Sequence, residues 1–328
     1  MNDPDLPGTV TYLRISITDR CNFRCRYCTP KDGTDLVSHH DVATYEEILK
    51  VVKTCIELGV TKARVTGGEP FVRKGILEFL RNLCQLPELT DISVTTNGSL
   101  LDPDKLKRLY EMGIKRLNFS LDTLKSEKFR FITGQDRFDT VLRNIHTASD
   151  IGMAPVKINT VLLRGINDDE IEDLAELSVK FPFHVRFIEY MPIGSTSISL
   201  DQQILTPEVK NIISERFGEL IPVEHSGNDG PAKRFRLRGA KGEIGFITPV
   251  SCHFCDRCNR IRLVATGGLR PCLLNDAETD ILTPLRSGAS SSKLKQLVAE
   301  TIKSKRSTQS LMNTGGSSVP GRMTSIGG

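Results

Sequence analysis

Strand-like and helix-like patterns alternate six times in the first two thirds of the chain, and this alternation constrains the fold most strongly. The strand patterns cover residues 13–17, 61–66, 91–96, 115–121, 156–163 and 184–190, and a helical pattern follows each of them. Right-handed βα units build a parallel sheet that curls toward a barrel. Since eight units close such a barrel, six predict an α/β fold, an incomplete (β/α)6 TIM-type barrel with an open side. Ligands are expected at the carboxyl ends of its strands.

Local signals predict where several helices begin and how the chain continues. Thr44 with Glu47, and Asn167 with Glu170, have the spacing of a capping box. After Gly194 the pattern changes to a helix over 206–217, strand patterns at 233–237, 243–247 and 261–265, and a helix near 294–302. We expect this smaller C-terminal region to close the open side of the barrel. The last residues, rich in Ser, Gly and Thr, have the composition of a frayed tail.

Three cysteines follow the first strand pattern with the spacing Cys21-x3-Cys25-x2-Cys28. Three soft thiolate ligands within one short loop indicate a metal group. A structural zinc site needs a fourth ligand, which only the His39-His40 pair offers nearby. An iron-sulfur cluster fits better. The alternative of three unrelated buried cysteines conflicts with the polar residues around them.

A second cysteine group lies late in the chain. Cys255 and Cys258 are separated by two residues, and Cys272 follows across a predicted hairpin. These thiols predict a second three-thiolate site. If Cys252 is included, a four-cysteine zinc ribbon remains an alternative.

Several predicted strands carry a cation within an apolar run. These cations are Arg14, Arg64, Lys157 and Arg186, and Arg260 and Arg262 alternate after the second cysteine group. Unpaired buried charge is costly, so these side chains need anions. They could pair with Glu189 or Asp122, or reach solvent from the strand ends. The other interpretation is a polyanion inside the barrel, because guanidinium groups match phosphate oxygens geometrically.

The composition gives no sign of a nucleic-acid or membrane partner. Lys and Arg number 44 against 40 Asp and Glu, a net charge of +4, which does not by itself imply binding to either. No apolar run approaches the roughly 20 residues that cross a bilayer, and the first ten residues lack the apolar segment of a secretory leader. Nine cysteines in such a chain favour a reducing compartment. We therefore expect a soluble cytoplasmic protein.

Together these motifs resemble a known family. The first cysteine spacing alone matches the radical S-adenosylmethionine (SAM) superfamily. The combination is similar to the GTP 3′,8-cyclases of molybdenum cofactor biosynthesis. It consists of Leu13-Arg14-Ile15-Ser16, Cys255-Asp256-Arg257-Cys258-Asn259-Arg260-Ile261-Arg262, the later Cys272 and the final Gly327-Gly328. The resemblance covers the chain from Leu13 onward. Cys252 lies outside the three-cysteine pattern of the family and is interpreted as an uncommitted thiol.

The resemblance implies cofactors and site residues. The cofactors are SAM and two [4Fe–4S] clusters, the first on Cys21, Cys25 and Cys28 and the second on Cys255, Cys258 and Cys272. The open iron of the first would bind SAM, and that of the second the guanine of GTP. The implied GTP contacts are Arg14, Lys62, Arg64, Thr95, Lys157, Arg260 and Arg262. The implied SAM contacts are Tyr27, Gly68, Ser120 and Met191. Arg186, Gly327 and Gly328 are assigned to the catalytic step, the two glycines as a narrow tail that threads into the site.

Residues near the ends of the second and sixth strand patterns also have a direct chemical interpretation. Gly67 and Gly68 would let the backbone approach SAM closely, and Glu69 would receive its ammonium group. The alternatives are that the glycines form a plain turn and that Met191 is a core residue.

The implied activity is that of a radical SAM lyase. It converts GTP to (8S)-3′,8-cyclo-7,8-dihydroguanosine 5′-triphosphate, when a 5′-deoxyadenosyl radical takes the C3′ hydrogen and C3′ then joins C8. The implied partners are the next pathway enzyme, cyclic pyranopterin monophosphate synthase, and an electron donor such as flavodoxin, with the chain a monomer or homodimer. Two alternative functions are retained: another twin-cluster radical SAM enzyme such as a peptide maturase, and a zinc-binding scaffold protein.

The predicted organisation has three parts. Residues 1–194 form the partial barrel with the first cluster, residues 195–304 the region with the second cluster, and residues 305–328 a flexible tail that ends in Gly-Gly.

Overall fold

The computed structural model describes residues 9–29, 36–194, 196–224, 230–252, 258–274, 277–311 and 323–327. The strands are β1 (Tyr12–Ser16), β2 (Lys62–Thr66), β3 (Asp91–Thr96), β4 (Arg116–Ser120), β5 (Val156–Leu162), β6 (Phe183–Glu189), β7 (Ile221–Pro222), β8 (Lys233–Arg236), β9 (Glu243–Ile247), β10 (Arg260–Leu263), β11 (Gly268–Arg270) and β12 (Thr279–Asp280). The helices are α1 (Tyr45–Ile56), α2 (Ile76–Cys84), α3 (Pro103–Glu111), α4 (Ser126–Thr133), α5 (Phe138–Asp150), α6 (Ile171–Lys180), α7 (Thr206–Phe217), α8 (Leu282–Arg286), α9 (Ser291–Leu311) and α10 (Met323–Ile326). The predicted site residues Cys255 and Gly328 lie outside the described residues.

The strands of the described chain form one sheet in the order β12-β11-β10-β1-β2-β3-β4-β5-β6-β9-β8-β7. Strands β1 to β6 pair in parallel with their neighbours in chain order. The C-terminal region adds one parallel strand at each side of this core, β10 beside β1 and β9 beside β6. The predicted partial barrel, extended by a C-terminal region, is therefore confirmed.

The central strands separate apolar and polar side chains onto opposite faces. Leu13 and Ile15 are fully buried in the apolar core, whereas Arg14 between them lines the interior of the barrel. In β10 the same alternation buries Ile261 and turns Arg262 inward. Because successive side chains of a strand point to opposite faces, the cations within the apolar runs all belong to the inner face.

One predicted capping box is confirmed and the other is wrong. The Thr44 hydroxyl accepts the Glu47 N–H at the start of α1, and the Glu47 carboxylate accepts the Thr44 N–H. In contrast, the Asn167 amide donates to the Asp122 carbonyl (2.7 Å), and Glu170 accepts the Thr123 hydroxyl (2.7 Å). Both side chains are fully buried, so they satisfy polar groups after β4 instead of capping α6.

The structure contains one helix that was not predicted and one that is longer than predicted. Helix α4, between β4 and β5, was not predicted from the sequence, and α9 extends well past the predicted end at residue 302. The segment predicted as a tail thus contains the last turns of α9 and the short helix α10. Within the described residues, no helix has both the length and the apolar character needed to cross a membrane.

Candidate active site

One cavity at the carboxyl ends of the parallel strands brings the two cysteine groups together. Its wall includes the cysteines Cys21, Cys25, Cys28, Cys258 and Cys272. It also includes the arginines Arg14, Arg64, Arg186, Arg260 and Arg262. The remaining predicted residues on this wall are Tyr27, Gly68, Thr95, Ser120 and Met191. We call this space the barrel cavity.

Helix α4 fixes the first cysteine loop. The Arg24 N–H donates to the carbonyl of Thr133 (2.9 Å), and the Arg26 N–H donates to that of Ile132 (3.0 Å). These carbonyls lie at the C-terminal end of α4, where no further helical turn uses them. The loop conformation therefore depends on a helix that sequence reasoning missed.

The first cysteine group fits an iron-sulfur cluster. Burial raises the pKa of Cys21 to about 11 and that of Cys28 to about 12, so thiolates here need a cationic metal group. Among the described residues, no three Cys, His, Asp or Glu side chains converge closely enough to hold a single ion. Three thiols on the wall of one cavity suit a cluster, in which each thiolate binds its own iron.

The second cysteine group has a more cationic environment. Lys305 Nζ lies 3.3 Å from Cys258 Sγ, and Arg260 Nη2 lies 3.7 Å from it. Burial raises the pKa of Cys258, but the two cations outweigh this effect and lower it to about 6. Cys252, by contrast, is exposed and contacts Lys233 Nζ (3.2 Å). Cys252 does not line the barrel cavity.

The two glycines after β2 have a packing role, and their predicted close approach to SAM stays a prediction. A Cβ on Gly67 would lie 2.6 Å from the Thr18 carbonyl oxygen, and one on Gly68 would lie 2.3 Å from the Arg20 carbonyl oxygen. The Gly68 N–H donates to the Thr18 carbonyl (2.7 Å). The space that a side chain would need is thus filled by the chain that leads into the cysteine loop. The glycines allow that loop to pack against the end of β2.

Glu69 connects the ends of two strands. One carboxylate oxygen accepts the Thr96 hydroxyl (2.8 Å) and the Phe71 N–H (3.1 Å), and the other accepts the Asn97 N–H (2.7 Å). Burial raises the pKa of Glu69 to about 7, against the effect of these donors. Its predicted contact with the ammonium of SAM stays a prediction, alongside this structural role.

We expect the substitution Glu69→Gln to destabilise the chain. All three neighbours of the carboxylate donate hydrogen bonds. The NH2 group of a glutamine is itself a donor, so it would point at one or more of these donors and could not form a hydrogen bond there. A buried group left unsatisfied costs about 1–3 kcal/mol. This should lower the free energy of unfolding measured by denaturant titration at pH 6, where the raised pKa leaves Glu69 mostly protonated and both side chains are neutral. Glu78→Gln, at an exposed ion pair with Arg81, is the control. Equal stability of the two variants would contradict this role of Glu69.

The wall near the first cysteine group offers polar atoms for a ligand. The Tyr27 hydroxyl donates to Asp122 (2.8 Å), whose other oxygen accepts the Val161 N–H (2.8 Å). Thr95 Oγ1 and Asn159 Oδ1 are buried and have no hydrogen-bond partner among the described residues. Buried polar groups are normally paired, so these two atoms indicate a polar ligand. Sequence reasoning missed Asn159, although it lies two positions after Lys157 and hence on the same strand face.

Three arginines occupy one level of the barrel. Arg262, Arg14 and Arg64 are register partners on β10, β1 and β2, and neighbouring strands are about 4.8 Å apart. Burial and then the charge of Arg262 lower the pKa of Arg14 well below its ordinary value. Such a row of like charges is unfavourable in a ligand-free barrel and favours the binding of a polyanion.

Two predicted substrate contacts lie deeper in the barrel. Lys62 and Lys157 precede Arg64 and Asn159 by two positions and do not line the barrel cavity. Lys62 Nζ pairs with Asp91 (2.8 Å), a partner that was not expected. Burial, followed by the charge of Arg186, lowers the pKa of Lys157 to about 5. An anion that extended below the arginine row would meet both amines.

The described end of the tail lies inside the barrel. Arg262 Nη1 donates to the Gly327 carbonyl (2.6 Å), and Met323 and Thr324 line the barrel cavity. Gly327 has a φ of +79°, and a Cβ there would lie 2.7 Å from Thr66 Cγ2. Only a glycine fits this position without displacement of its neighbours.

Comparison with known proteins gives consistent matches along the chain. The model of the Radical SAM superfamily matches residues 15–178, and that of Molybdenum Cofactor Synthesis C matches residues 183–311. The GTP 3′,8-cyclase of Thermodesulfovibrio yellowstonii is 49% identical over 294 residues, which cover 89% of this chain and 91% of the relative. The GTP 3′,8-cyclase of Moorella thermoacetica is 46% identical over 319 residues, which cover 97% of this chain and 98% of the relative.

Solved structures share the fold at low identity. SuiB of Streptococcus suis bound to S-adenosylmethionine gives a TM-score of 0.61 at 16% identity, with 83% of this chain and 63% of that chain covered. SuiB bound to its precursor peptide SuiA gives 0.59 at 18% identity, with 84% and 63% covered. The match thus spans less than two thirds of the SuiB chain. At this level of identity, the likeness concerns the fold alone.

Proposed function

Because the chain belongs to the GTP 3′,8-cyclase family of radical SAM enzymes, we propose that its barrel cavity binds SAM beside the first cysteine group and GTP between SAM and the second group. The reaction of the family forms (8S)-3′,8-cyclo-7,8-dihydroguanosine 5′-triphosphate in molybdenum cofactor biosynthesis, with two [4Fe–4S] clusters and SAM as cofactors. The observation that carries this proposal is that two cysteine groups and five arginines share one cavity.

The first cysteine group and the strand ends around it form the SAM side. Cys21, Cys25 and Cys28 would hold one cluster, and Tyr27, Gly68, Ser120 and Met191 would contact SAM. When bound, the cluster and SAM supply the electron and the radical that removes hydrogen from GTP. The chain itself keeps this side rigid, because Asp122 holds the Tyr27 hydroxyl (2.8 Å) and the Val161 N–H (2.8 Å). A rigid, enclosed site limits side reactions with water.

The arginines and the second cysteine group form the substrate side. Arg14, Arg64 and Arg186 would bind phosphate oxygens, with Lys62 and Lys157 below them. Arg260 and Arg262, on the strand that follows the second cysteine group, would contact GTP nearer to Cys258 and Cys272. Cys255 would complete that ligand set. Fixed cations orient C3′ of the ribose without reorganisation at the moment of reaction. Thr95 is the candidate for a neutral contact with GTP, since its hydroxyl oxygen has no partner among the described residues.

The wider setting follows from the family assignment. We infer that the cyclised nucleotide passes to a cyclic pyranopterin monophosphate synthase, that a small electron-transfer protein such as flavodoxin reduces the chain, and that it works in the cytoplasm. The chain would act as a monomer or homodimer.

GTP binding should take up protons through Lys157. In the ligand-free chain, the pKa of Lys157 of about 5 leaves its amine mostly neutral at pH 7. A bound triphosphate favours the ammonium and raises this pKa, so GTP affinity should fall as the pH rises from about 5 to the pKa of the bound state. Calorimetry in buffers of different ionisation enthalpy measures the uptake. We expect Lys157→Met to reduce it, whereas the exposed variant Lys115→Met should not; equal uptake in all three proteins would contradict the assignment.

Product analysis tests the proposed reaction. The reconstituted protein is incubated anaerobically with SAM and dithionite, with and without GTP, and 5′-deoxyadenosine and cyclised nucleotide are measured by mass spectrometry. We expect GTP-dependent formation of both. SAM cleavage without a nucleotide product would instead favour the peptide-maturase alternative. A protein that binds zinc without sulfide would support the scaffold alternative.

A further inference from the structure

A lysine outside the predicted site reaches the second cysteine group. Lys305, on helix α9, is 3% exposed and lines the barrel cavity. Its Nζ donates to Cys258 Sγ (3.3 Å) and to the carbonyl of Pro271 (3.0 Å), the residue before Cys272. In the part of the chain that the structure describes, no carboxylate lies within ion-pair distance of this ammonium. Its two described hydrogen bonds are therefore with the segments that carry Cys258 and Cys272.

Helix α9 holds this lysine in place. The Thr301 hydroxyl, one turn earlier, donates to Thr279 Oγ1 on β12 (2.7 Å). A buried ammonium carries a large desolvation penalty unless it has an anionic partner. Thiolate ligands of a cluster are such anions, and N–H groups that donate to cluster sulfurs adjust its electronic properties.

We propose that Lys305 is a positioning residue that raises the reduction potential of the second cluster. The inference rests on the proposed assignment of Cys258 and Cys272 as ligands of that cluster. Reduction adds negative charge to a cluster, so a fixed positive charge beside a ligand stabilises the reduced form more than the oxidised form. At the first group, Cys21 accepts from neutral donors, the Phe23 N–H (3.4 Å) and the Asn97 amide (4.0 Å).

The test is a redox titration of the second cluster alone. The full chain with Cys21→Ala, Cys25→Ala and Cys28→Ala retains only the second cysteine group, and its reconstituted cluster is titrated with dithionite and followed by electron paramagnetic resonance. Lys305→Met keeps the length of the side chain and removes the charge. We expect the ratio of reduced to oxidised cluster at a fixed potential to fall about tenfold, a shift of about 59 mV to more negative potential for one electron.

Two further variants separate charge from packing. Lys303→Met changes an exposed lysine of the same helix and should leave the potential unmoved. Lys305→Gln keeps an N–H donor without the charge, and it is titrated in place of Lys305→Met if the latter holds no cluster; a shift to more negative potential is expected here too.

The outcomes are distinct. An unchanged potential in a Lys305 variant with full iron content overturns the role of Lys305. Absence of iron in the triple-alanine chain that retains Lys305 overturns the cluster assignment itself, and this inference with it.

Discussion

Deletion of Gly327 and Gly328 is expected to abolish GTP cyclisation while both clusters remain bound. The Gly327 carbonyl accepts a hydrogen bond from Arg262 (2.6 Å), an arginine that also belongs to the substrate wall. Loss of this contact releases the arginine and removes the Gly327 carbonyl from the barrel. A displacement of about 1 Å in a reacting site can cost 100-fold in rate. We therefore expect a loss of at least about 100-fold in kcat, with unchanged iron and sulfide content.

Single substitutions separate crowding from backbone strain. A Cβ on Gly327 would lie 2.7 Å from Thr66 Cγ2, whereas one on Gly288 would have no neighbour within 4 Å, and both residues have a φ of +79°. Gly327→Ala and Gly288→Ala thus carry the same conformational cost, but only the first disturbs the barrel. We expect a large loss of turnover for Gly327→Ala alone. Full turnover of the Gly327→Ala variant would contradict a role of the tail.

The substitution Arg14→Met should weaken GTP binding strongly without loss of stability. Arg14 is the middle member of the row Arg262, Arg14 and Arg64, so its removal deletes a phosphate contact and also relieves repulsion between like charges. A hydrogen bond to a charged group contributes about 1.5–3 kcal/mol, which corresponds to a loss of affinity of roughly 10- to 100-fold. The melting temperature of the ligand-free protein should stay the same or rise.

The combination of these two effects distinguishes a binding residue from a structural one. Arg164→Met removes an exposed arginine paired with Glu208 and should change neither quantity by much. GTP affinity is measured by calorimetry and stability by thermal denaturation. If Arg14→Met lowers the melting temperature and leaves GTP affinity unchanged, then Arg14 serves the fold and not the substrate.

The fold was predictable because its signals are local and repeated. Alternating strand and helix patterns gave the six parallel strands in their observed order, and single cations in apolar runs marked the inner face of the barrel. A side chain such as Arg14 must face either the apolar core or the interior, and charge decides between the two. Family membership was likewise predicted from the two cysteine motifs combined with the first strand pattern and the final glycines, and the relatives confirm it.

The contacts that hold the site residues in place were harder to predict, because they join segments that are distant in the sequence. Gly67 and Gly68 were interpreted as residues that let the backbone approach SAM, and the sequence did not show that their missing side chains also make room for the carbonyl groups of Thr18 and Arg20. Asn167 was predicted to cap α6, but its amide donates a hydrogen bond to the backbone carbonyl of Asp122, after β4. Nothing in the sequence marked Lys305, since its partner Cys258 is 47 residues away in the chain. The sequence pattern identifies the chemical groups, but only the fold shows which segments hold them.

The origin of the hydrogen removed from GTP tests the central claim most directly. GTP deuterated at C3′ is incubated with the reconstituted protein, SAM and dithionite, and 5′-deoxyadenosine is analysed by mass spectrometry. If the barrel cavity holds SAM and GTP side by side in the proposed orientation, deuterium should appear in 5′-deoxyadenosine whenever cyclised nucleotide forms. Formation of 5′-deoxyadenosine without deuterium, at the same rate with and without GTP, would contradict this arrangement.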